Sequence, residues 1–485
     1  MRALTAPRGV RGCGLSDADS RAFGEVLRKA GYGGGQAELV GGEADLSVLA
    51  RLFALGASVP RETAAATVEP VGLEALESAG IVEARGEGRV GSSMRVTPCE
   101  ELLFLHDRAD LRGPSDQVAA VGPASLTLAS LTIRRPVELA LDLGTGCGVQ
   151  ALLASRHAGR VIATDVSGRA LDVARVNAAI NRIENVELRV GNLFEPVAGE
   201  RFDLIVANPP FVISPETSHV FRDSDLPGDA ISELVVGGAT ELLAEGGHAT
   251  ILCEWICRAG EDWPQAPRRW TDGRGCDALA LHYNTADPET YAAAWNGGLR
   301  EIDPDGYVET VERWAAYQRS LDVAGVSTGA VVLRRRGRSG RGSGSTGSWF
   351  RAEEMPGGPS GGAGEHLLRV FAAEDVLPAR RADVLECRLR LAVGQELRQL
   401  VAYGESGWES GDAELRSEPG IGVSVVVPGQ VVHVVLSLDG ERTLAAVIDQ
   451  AADELGAEPE GLREAAGDLA RRLVELGFCE VVGPQ

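Results

Sequence analysis

The chain is expected to fold as an α/β protein built on a mainly parallel sheet, with smaller helix-and-strand modules at both ends. Three observations carry this expectation. Between Val137 and Phe211 short apolar runs alternate with helical periods, the pattern of strand–helix–strand units. The first run, Val137 to Leu143, ends in Gly144-Thr145-Gly146-Cys147-Gly148 before a helical pattern (Val149, Leu152, Leu153), and strand, glycine turn and helix is the layout of a nucleotide-binding crossover. A later run, Leu204 to Ala207, meets Asn208-Pro209-Pro210-Phe211. That stops a strand, because neither proline has a backbone hydrogen to donate.

Taken in order, residues 1 to 15 show no periodic pattern and are expected to be disordered. Residues 16 to 108 read as an N-terminal domain. Ser16 or Asp17 can cap a helix with Phe23, Val26 and Leu27 on one face. Helical patterns recur at Leu46 to Leu55 and Leu73 to Ala79, and Ile81 to Ala84 and Arg89 to Val96 flank a turn at Gly86 and Gly88. Helices followed by a two-stranded wing resemble a winged-helix domain, which can serve nucleic acid or protein docking; a generic helical cap is the other reading.

Residues 110 to 335 form the central domain. Arg160 to Thr164 reads as its second strand and ends at Asp165. That carboxylate lies about 20 residues after the glycines, where an acid can hold both hydroxyls of a ribose. A helix, Ala170 to Asn181, and a third strand, Val186 to Val190, lead to Gly191-Asn192-Leu193-Phe194. At the fourth strand the two prolines stiffen the backbone, so that Asn208 and the Pro209 carbonyl point at the strand's C-terminal edge beside the flat face of Phe211. Such a set can grip a planar NH2 group: two acceptors take its hydrogens and the ring stacks on its π system.

With Asp142 in front, the turn reads D-x-G-x-G-x-G, and it resembles motif I of the class I S-adenosylmethionine-dependent methyltransferases. Asn208 to Phe211 resembles the NPP(Y/F) motif of those members that act on amide or exocyclic amino nitrogens. The resemblance implies a Rossmann-like class I methyltransferase sheet. It implies S-adenosyl-L-methionine as cofactor, bound by Asp142, Gly144, Thr145, Gly146, Cys147, Gly148, Asp165, Val166, Asn192, Leu193 and Asn208. It assigns the chemistry to Asn208, Pro209, Pro210 and Phe211. Asp142 would suit the cofactor's ammonium, directly or through water. Asn192 stands where family members often place Asp, and its amide oxygen can accept the same hydrogen bond from the adenine amino group. Val121 to Ser125, just before the first strand, would be a lid over the methionine end.

Two neighbours within the family are nearest: the small-domain ribosomal RNA guanine-N2 methyltransferases, with NPPF, and the release-factor glutamine methyltransferases, usually NPPY. The missing tyrosine hydroxyl at Phe211 points to a nucleobase, while Val212, where the rRNA enzymes often carry His, points away from one. An exocyclic base amine in RNA is therefore the first expectation and a protein glutamine amide the alternative. A non-catalytic methyltransferase-fold adapter is a third reading, opposed by the intact Asp165 and NPPF.

Beyond Phe211 a polar loop carries His219, Arg222, Asp223 and Asp225, as substrate contacts or simply as a solvated segment. Ala230 to Leu243 reads as a helix, His248 to Cys253 and Ala278 to Tyr283 as strands, and Pro288 to Trp295 and Tyr307 to Leu321 as helices inserted before a last strand, Ala330 to Arg334. Residues 336 to 364 read as a flexible Gly/Ser-rich linker. The five arginines from Arg334 to Arg341 form a basic cluster able to touch RNA. Residues 365 to 485 read as an acidic α+β module. It has strand-like runs at His366 to Phe371, Leu389 to Val393, Gly422 to Val427 and Val431 to Leu438, and a helix–helix–strand ending that again looks winged-helix-like. From residue 351 onward 12 Arg face 24 Asp plus Glu, a balance of −12, which favours a protein partner over nucleic acid.

The 485 residues carry a net charge of −23, with Lys29 the only lysine. An acidic chain needs a local basic patch or a partner to hold nucleic acid, because phosphate binding draws on cations. The eight cysteines are scattered. Cys253 and Cys257 are the closest pair and have no His or Cys nearby to complete a zinc set, so no metal is expected. No apolar run is long enough to span a membrane and the N-terminus lacks a signal-like core; a cytoplasmic protein is expected.

Overall fold

The computed structural model describes residues 13–32, 47–108, 117–216, 222, 224, 226–337, 347–377, 384–404 and 407–483. Its centre is one eight-stranded sheet. The strands are β1 (Val137–Leu143), β2 (Ala158–Asp165), β3 (Val186–Val190), β4 (Phe202–Ala207), β5 (Leu243–Cys257), β6 (Cys276–Ala286), β7 (Gly325–Arg335) and β8 (Phe350–Glu354). They lie in the order β8-β6-β7-β5-β4-β1-β2-β3. Strands β1 to β5 run parallel to one another, β7 is antiparallel to β5 and β6, and β8 pairs parallel with β6. Strand β4 shows why these segments extend: Leu204 and Val206 enter one buried cluster, Ile205 and Ala207 another. Alternation buries both faces, so the run is continuously apolar.

The strand order reverses between β1 and β4, and ligands of open α/β sheets bind at the carboxyl ends beside such a switch. Leu143, last in β1, pairs with Ala207, last in β4. The glycine turn and Asn208 therefore leave the sheet side by side. The helices around it are α1 (Pro123–Leu131), α2 (Val149–Ala154), α3 (Gly168–Ile180), α4 (Ala230–Leu242), α5 (Pro288–Asn296), α6 (Pro304–Ser320) and α7 (Gly364–Val376).

The N-terminal domain is fastened to α3. Its helix Asp17–Lys29, capped by Ser16, comes so close that a side chain at Gly24 would stand 2.4 Å from the Ile180 carbonyl oxygen. Arg28 donates to that carbonyl and to the Asn181 amide oxygen, both at 3.0 Å. Asn177 and Asn181, one turn apart, each bond both main-chain groups of a residue on the strand Leu102–Asp107, at 2.7–2.9 Å. Arg175 donates to the Leu15 carbonyl at 2.9 Å, and Cys13 and Leu15 are buried; the expected disorder thus does not extend to residues 13–15, while residues 1–12 lie outside the described residues. The segment expected to be a helix to Leu55 ends in a π-helical turn, Ala50–Ala54. Helices Arg61–Thr67 and Leu73–Ser78 follow, with a three-stranded sheet of Val59–Pro60, Arg89–Ser92 and Val82–Ala84, in that spatial order.

The C-terminal part departs most from expectation. Part of the expected linker, Phe350–Glu354, is the edge strand β8, paired with β6 from Ala278 to His282. The strand expected at His366 lies in α7, whose Gly364 meets the Thr132 carbonyl so closely that a Cβ would stand 2.2 Å from its oxygen. Val431 to Leu438, also expected to extend, is helical as far as Leu436, because Val431, Val432, Val434 and Val435 all reach the core at helical spacing; tertiary burial overrides β-branched preference. Within residues 365–485, α7 lies against β5 through Phe371 and His248, and Arg472 bonds Glu353 of β8 at 2.7 Å. The arginine cluster belongs to that packing. Arg334 bonds Asp277 and Asp375 at 2.7 and 2.6 Å, Arg336 bonds Asp277 at 2.8 Å, and Arg335 donates to the Thr240 carbonyl. Arg338 and Arg341 lie outside the described residues.

His248 of β5 is buried edge-on against Phe371 of α7, with ring centroids 5.6 Å apart. Neither ring nitrogen has a hydrogen-bond partner among the described residues. Burial, reinforced by Arg135 and Arg334, pushes its pKa down to about 3. The unfolded chain then binds a proton below about pH 6.5 that the folded protein refuses. The neutral ring's contribution is complete above that pH and is lost as pH falls toward the folded value, by about 1.4 kcal/mol per pH unit. His248→Leu is expected to flatten this loss. Urea unfolding at pH 7 and pH 5 checks it, and equal losses in variant and wild type would refute the assignment.

All eight cysteines are free and buried. No helix among the described residues is long and apolar enough to cross a membrane.

Candidate active site

The turn after β1 holds Gly144, Gly146 and Gly148 at φ of +72°, +54° and +88°, a region that favours glycine. Their tasks differ. A side chain at Gly144 or Gly146 would meet no atom within 4 Å, whereas one at Gly148 would press on Leu152 and Ala174 at 3.1 and 3.2 Å. The first two face open space at the crevice; the third lets α2 pack closely.

Asp142 is buried and acts within the turn. Its Oδ2 accepts from the Thr145 hydroxyl at 2.6 Å and from the Ala151 amide, in the first turn of α2, at 2.9 Å. Burial pushes its pKa up to about 7 against those hydrogen bonds. The side chains of Thr145 and Cys147 also serve the fold. The Thr145 hydroxyl is taken by Asp142, and the Cys147 thiol is buried, which raises its pKa to about 12. Asp165 stands at the end of β2. Its Oδ2 accepts from the Gly146 amide at 2.9 Å and its Oδ1 from the Ser167 amide at 2.8 Å. Each oxygen keeps a further lone pair for a hydroxyl donor. Val166 is half-buried beside it.

After β3, Asn192 presents a buried amide oxygen with no hydrogen-bond partner among the described residues. An unpaired buried acceptor costs about 1–3 kcal/mol unless something donates to it. Leu193 follows with φ +47°, a left-handed conformation that non-glycine residues seldom adopt. These features fit S-adenosylmethionine. The orphan Asn192 oxygen suits the adenine amino group, Asp165 suits the ribose hydroxyls, and the open side of Gly144 and Gly146 gives the ligand room against the backbone.

Beside this crevice, Pro209 is buried and Asn208 and Pro210 are half-buried. The Asn208 amide makes no hydrogen bond among the described residues. Phe211 is half-buried and packs against all three apolar clusters of the protein. Downstream, the Ile213 amide donates to Tyr291 Oη at 3.0 Å, and the Ile213 carbonyl accepts from Gln318 at 3.0 Å. Glu216 accepts from Trp314, Arg313 and Arg222 at 3.1, 2.6 and 3.1 Å. His219, Asp223 and Asp225 lie outside the described residues. Val121 to Ser125 runs into α1, and the Ser125 carbonyl accepts from Gln150 of α2 at 2.7 Å, which ties the expected lid to the helix after the glycine turn.

Sequence reasoning missed Glu254, Tyr291 and Gln318. Tyr291 donates to the Glu254 carboxyl, which burial pushes up to about 8. The visible signal was a lone carboxylate inside the apolar run Ile251-Leu252-Cys253-Glu254-Trp255-Ile256.

Residues 120–254 match the model of the methyltransferase small domain, and residues 32–92 match a domain of unknown function, DUF7059. A release factor glutamine methyltransferase of Xylella fastidiosa (strain Temecula1) is 42% identical over 114 residues, 22% of this chain and 41% of that one. A ribosomal protein uL3 glutamine methyltransferase of Bradyrhizobium diazoefficiens is 34% identical over 169 residues, 31% and 52% of the two chains. The chain thus spans about two fifths of the length of the first of these relatives and about half of the second. Among solved structures, a methyltransferase from Pyrococcus furiosus aligns with TM-score 0.29 and 17% identity, covering 47% of this chain and 91% of that one. Motif, sheet order and family match agree, and the chain carries a class I S-adenosylmethionine-dependent methyltransferase domain of the NPPF group.

Proposed function

We propose that this protein is an N-methyltransferase for a planar amide nitrogen, a glutamine side chain of a protein substrate. The observation that carries this reading is the Asn208 amide: half-buried, without a partner of its own among the described residues, beside the glycine turn and three residues before Phe211. Asn208 Oδ1 and the Pro209 carbonyl accept the two N–H bonds of the substrate, and Phe211 stacks on its π face. Asn192, Asp165 and the backbone from Gly144 to Gly148 hold the cofactor, which when bound supplies an electrophilic methyl group on a sulfonium. The residues' task is alignment, which can supply roughly 7–11 kcal/mol. No general base is needed before transfer.

Protein is favoured over RNA by two observations. The relatives are named for glutamine in release factors and in ribosomal protein uL3, and three arginines of the expected RNA-contacting cluster are engaged in the fold. The acidic balance agrees. Phe211, in place of tyrosine, remains the argument for a base amine. We read the N-terminal helices and hairpin as winged-helix-like, and they and the acidic C-terminal part as protein-docking surfaces. Labelled methyl transfer from S-adenosylmethionine into cell extract decides between substrates: label is expected to survive RNase and be lost to protease. The reverse would return the reading to RNA.

A further inference from the structure

Two residues past Phe211 the chain is gripped by both of its main-chain polar groups. Tyr291, on α5, takes the Ile213 N–H, and Gln318, on α6, donates to the Ile213 carbonyl, both at 3.0 Å. The two helices are inserted between β6 and β7. The Tyr291 hydroxyl donates onward to Glu254. Glu254 is buried on β5, three residues beyond Ile251, the partner of Ala207 at the end of β4. Thr328 of β7 approaches the other carboxyl oxygen at 3.4 Å. Around these groups Val212, Ile213, Ala292, Trp314 and Val326 form an apolar cluster. Packing alone would be served by apolar residues, because a buried carboxyl and hydroxyl carry a desolvation cost.

The sheet ladder ends at Ala207, and the two prolines after Asn208 cannot donate. The first main-chain anchors beyond them are the Val212 amide on the Arg222 carbonyl at 3.3 Å and the grip on Ile213. We propose that Tyr291, oriented by Glu254, is a positioning residue for the amine site: it fixes the backbone from Phe211 to Ile213 and with it the directions in which Asn208 and Phe211 face. This rests on the reading of NPPF as the grip on the substrate amine.

Tyr291→Phe in the full chain removes the hydroxyl and keeps the ring. Three readouts are needed: hydrogen exchange at the Ile213 amide, S-adenosylmethionine affinity by calorimetry, and kcat. Exchange at Ile213 is expected to speed up, cofactor affinity to stay as in the wild type, and kcat to fall on the order of tenfold to a hundredfold, the scale of a small misalignment of reacting groups. Glu254→Ala is expected to behave like Tyr291→Phe, and Glu254→Gln, which keeps an acceptor for the hydroxyl, to lose less. Unchanged exchange, or faster exchange with wild-type kcat, overturns the proposal. The two readings separate through Asn208→Ala. If that variant keeps its rate, the amine-grip reading falls and this proposal with it; if it loses its rate while Tyr291→Phe does not, this proposal alone falls.

Discussion

Asn208→Ala is expected to cut methyl transfer by about 10²–10³, the usual cost of removing one preorganised hydrogen-bonding group, with S-adenosylmethionine affinity changed only a few-fold. The target nitrogen is a poor nucleophile because its lone pair is delocalised into a π system. In the proposed function Asn208 acts on that fault by holding an N–H out of the plane that conjugation prefers. The contact strengthens as the nitrogen becomes positive, so its loss falls on turnover. The structure sharpens the test. The Asn208 amide has no hydrogen-bond partner among the described residues and is half-buried, so truncation leaves no buried group of the protein unpaired, and stability should hardly move. A loss of rate in a variant with wild-type unfolding would then report chemistry. Asn208→Asp should be milder if acceptor geometry is what counts, since both carboxylate oxygens can accept. Near wild-type turnover in Asn208→Ala would reduce NPPF to a strand-ending turn.

The crevice was legible in the sequence because its signals are local. Gly144 to Gly148 and Asn208 to Phe211 are consecutive residues that each close a short apolar run, whereas the reversal of strand order that sets them side by side is visible only in the sheet. What stayed hidden depends on partners far along the chain. Tyr291 and Gln318 meet Ile213 across 78 and 105 residues, and nothing in an amphipathic helix marks one tyrosine or glutamine as an anchor. The arginines from Arg334 looked like a free basic cluster because a charge pattern is silent about Asp277, 57 residues before Arg334. Phe350 to Glu354 sits in a linker-like composition and becomes a strand because β6 offers an open edge. Val431 to Leu436 shows the same override in the other direction: strand-forming residues turn helical where that buries them. The place of Asp142 in the motif points to an acid for the ligand, and the structure engages its Oδ2 within the turn.

Asp165→Ala is expected to weaken S-adenosylmethionine binding on the order of a hundredfold, from hydrogen bonds to a charged group at about 1.5–3 kcal/mol each. Two losses combine. In the proposed cofactor site the ribose hydroxyls lose their acceptor, and the glycine turn loses its tie to β2, because Asp165 accepts from the Gly146 amide at 2.9 Å and from the Ser167 amide at 2.8 Å. Gly146 has a left-handed φ and open space on its Cβ side, so without that tie the turn must be ordered when the ligand arrives, and affinity falls by the fraction of molecules in the competent state. Asp165→Asn should recover only part. It keeps one acceptor oxygen, but whichever way its amide turns the NH2 replaces an oxygen that accepts a main-chain N–H, and two donors cannot satisfy each other. Burial already raises the pKa of Asp165 against three main-chain hydrogen bonds, so cofactor affinity should decline on acidification earlier than an exposed aspartate would allow, and Asp165→Asn should remove the part of that decline that Asp165 contributes, leaving the part from Asp142. Calorimetry at neutral and mildly acidic pH checks both points. A folded Asp165→Ala with wild-type affinity would mean that the end of β2 does not hold the ribose.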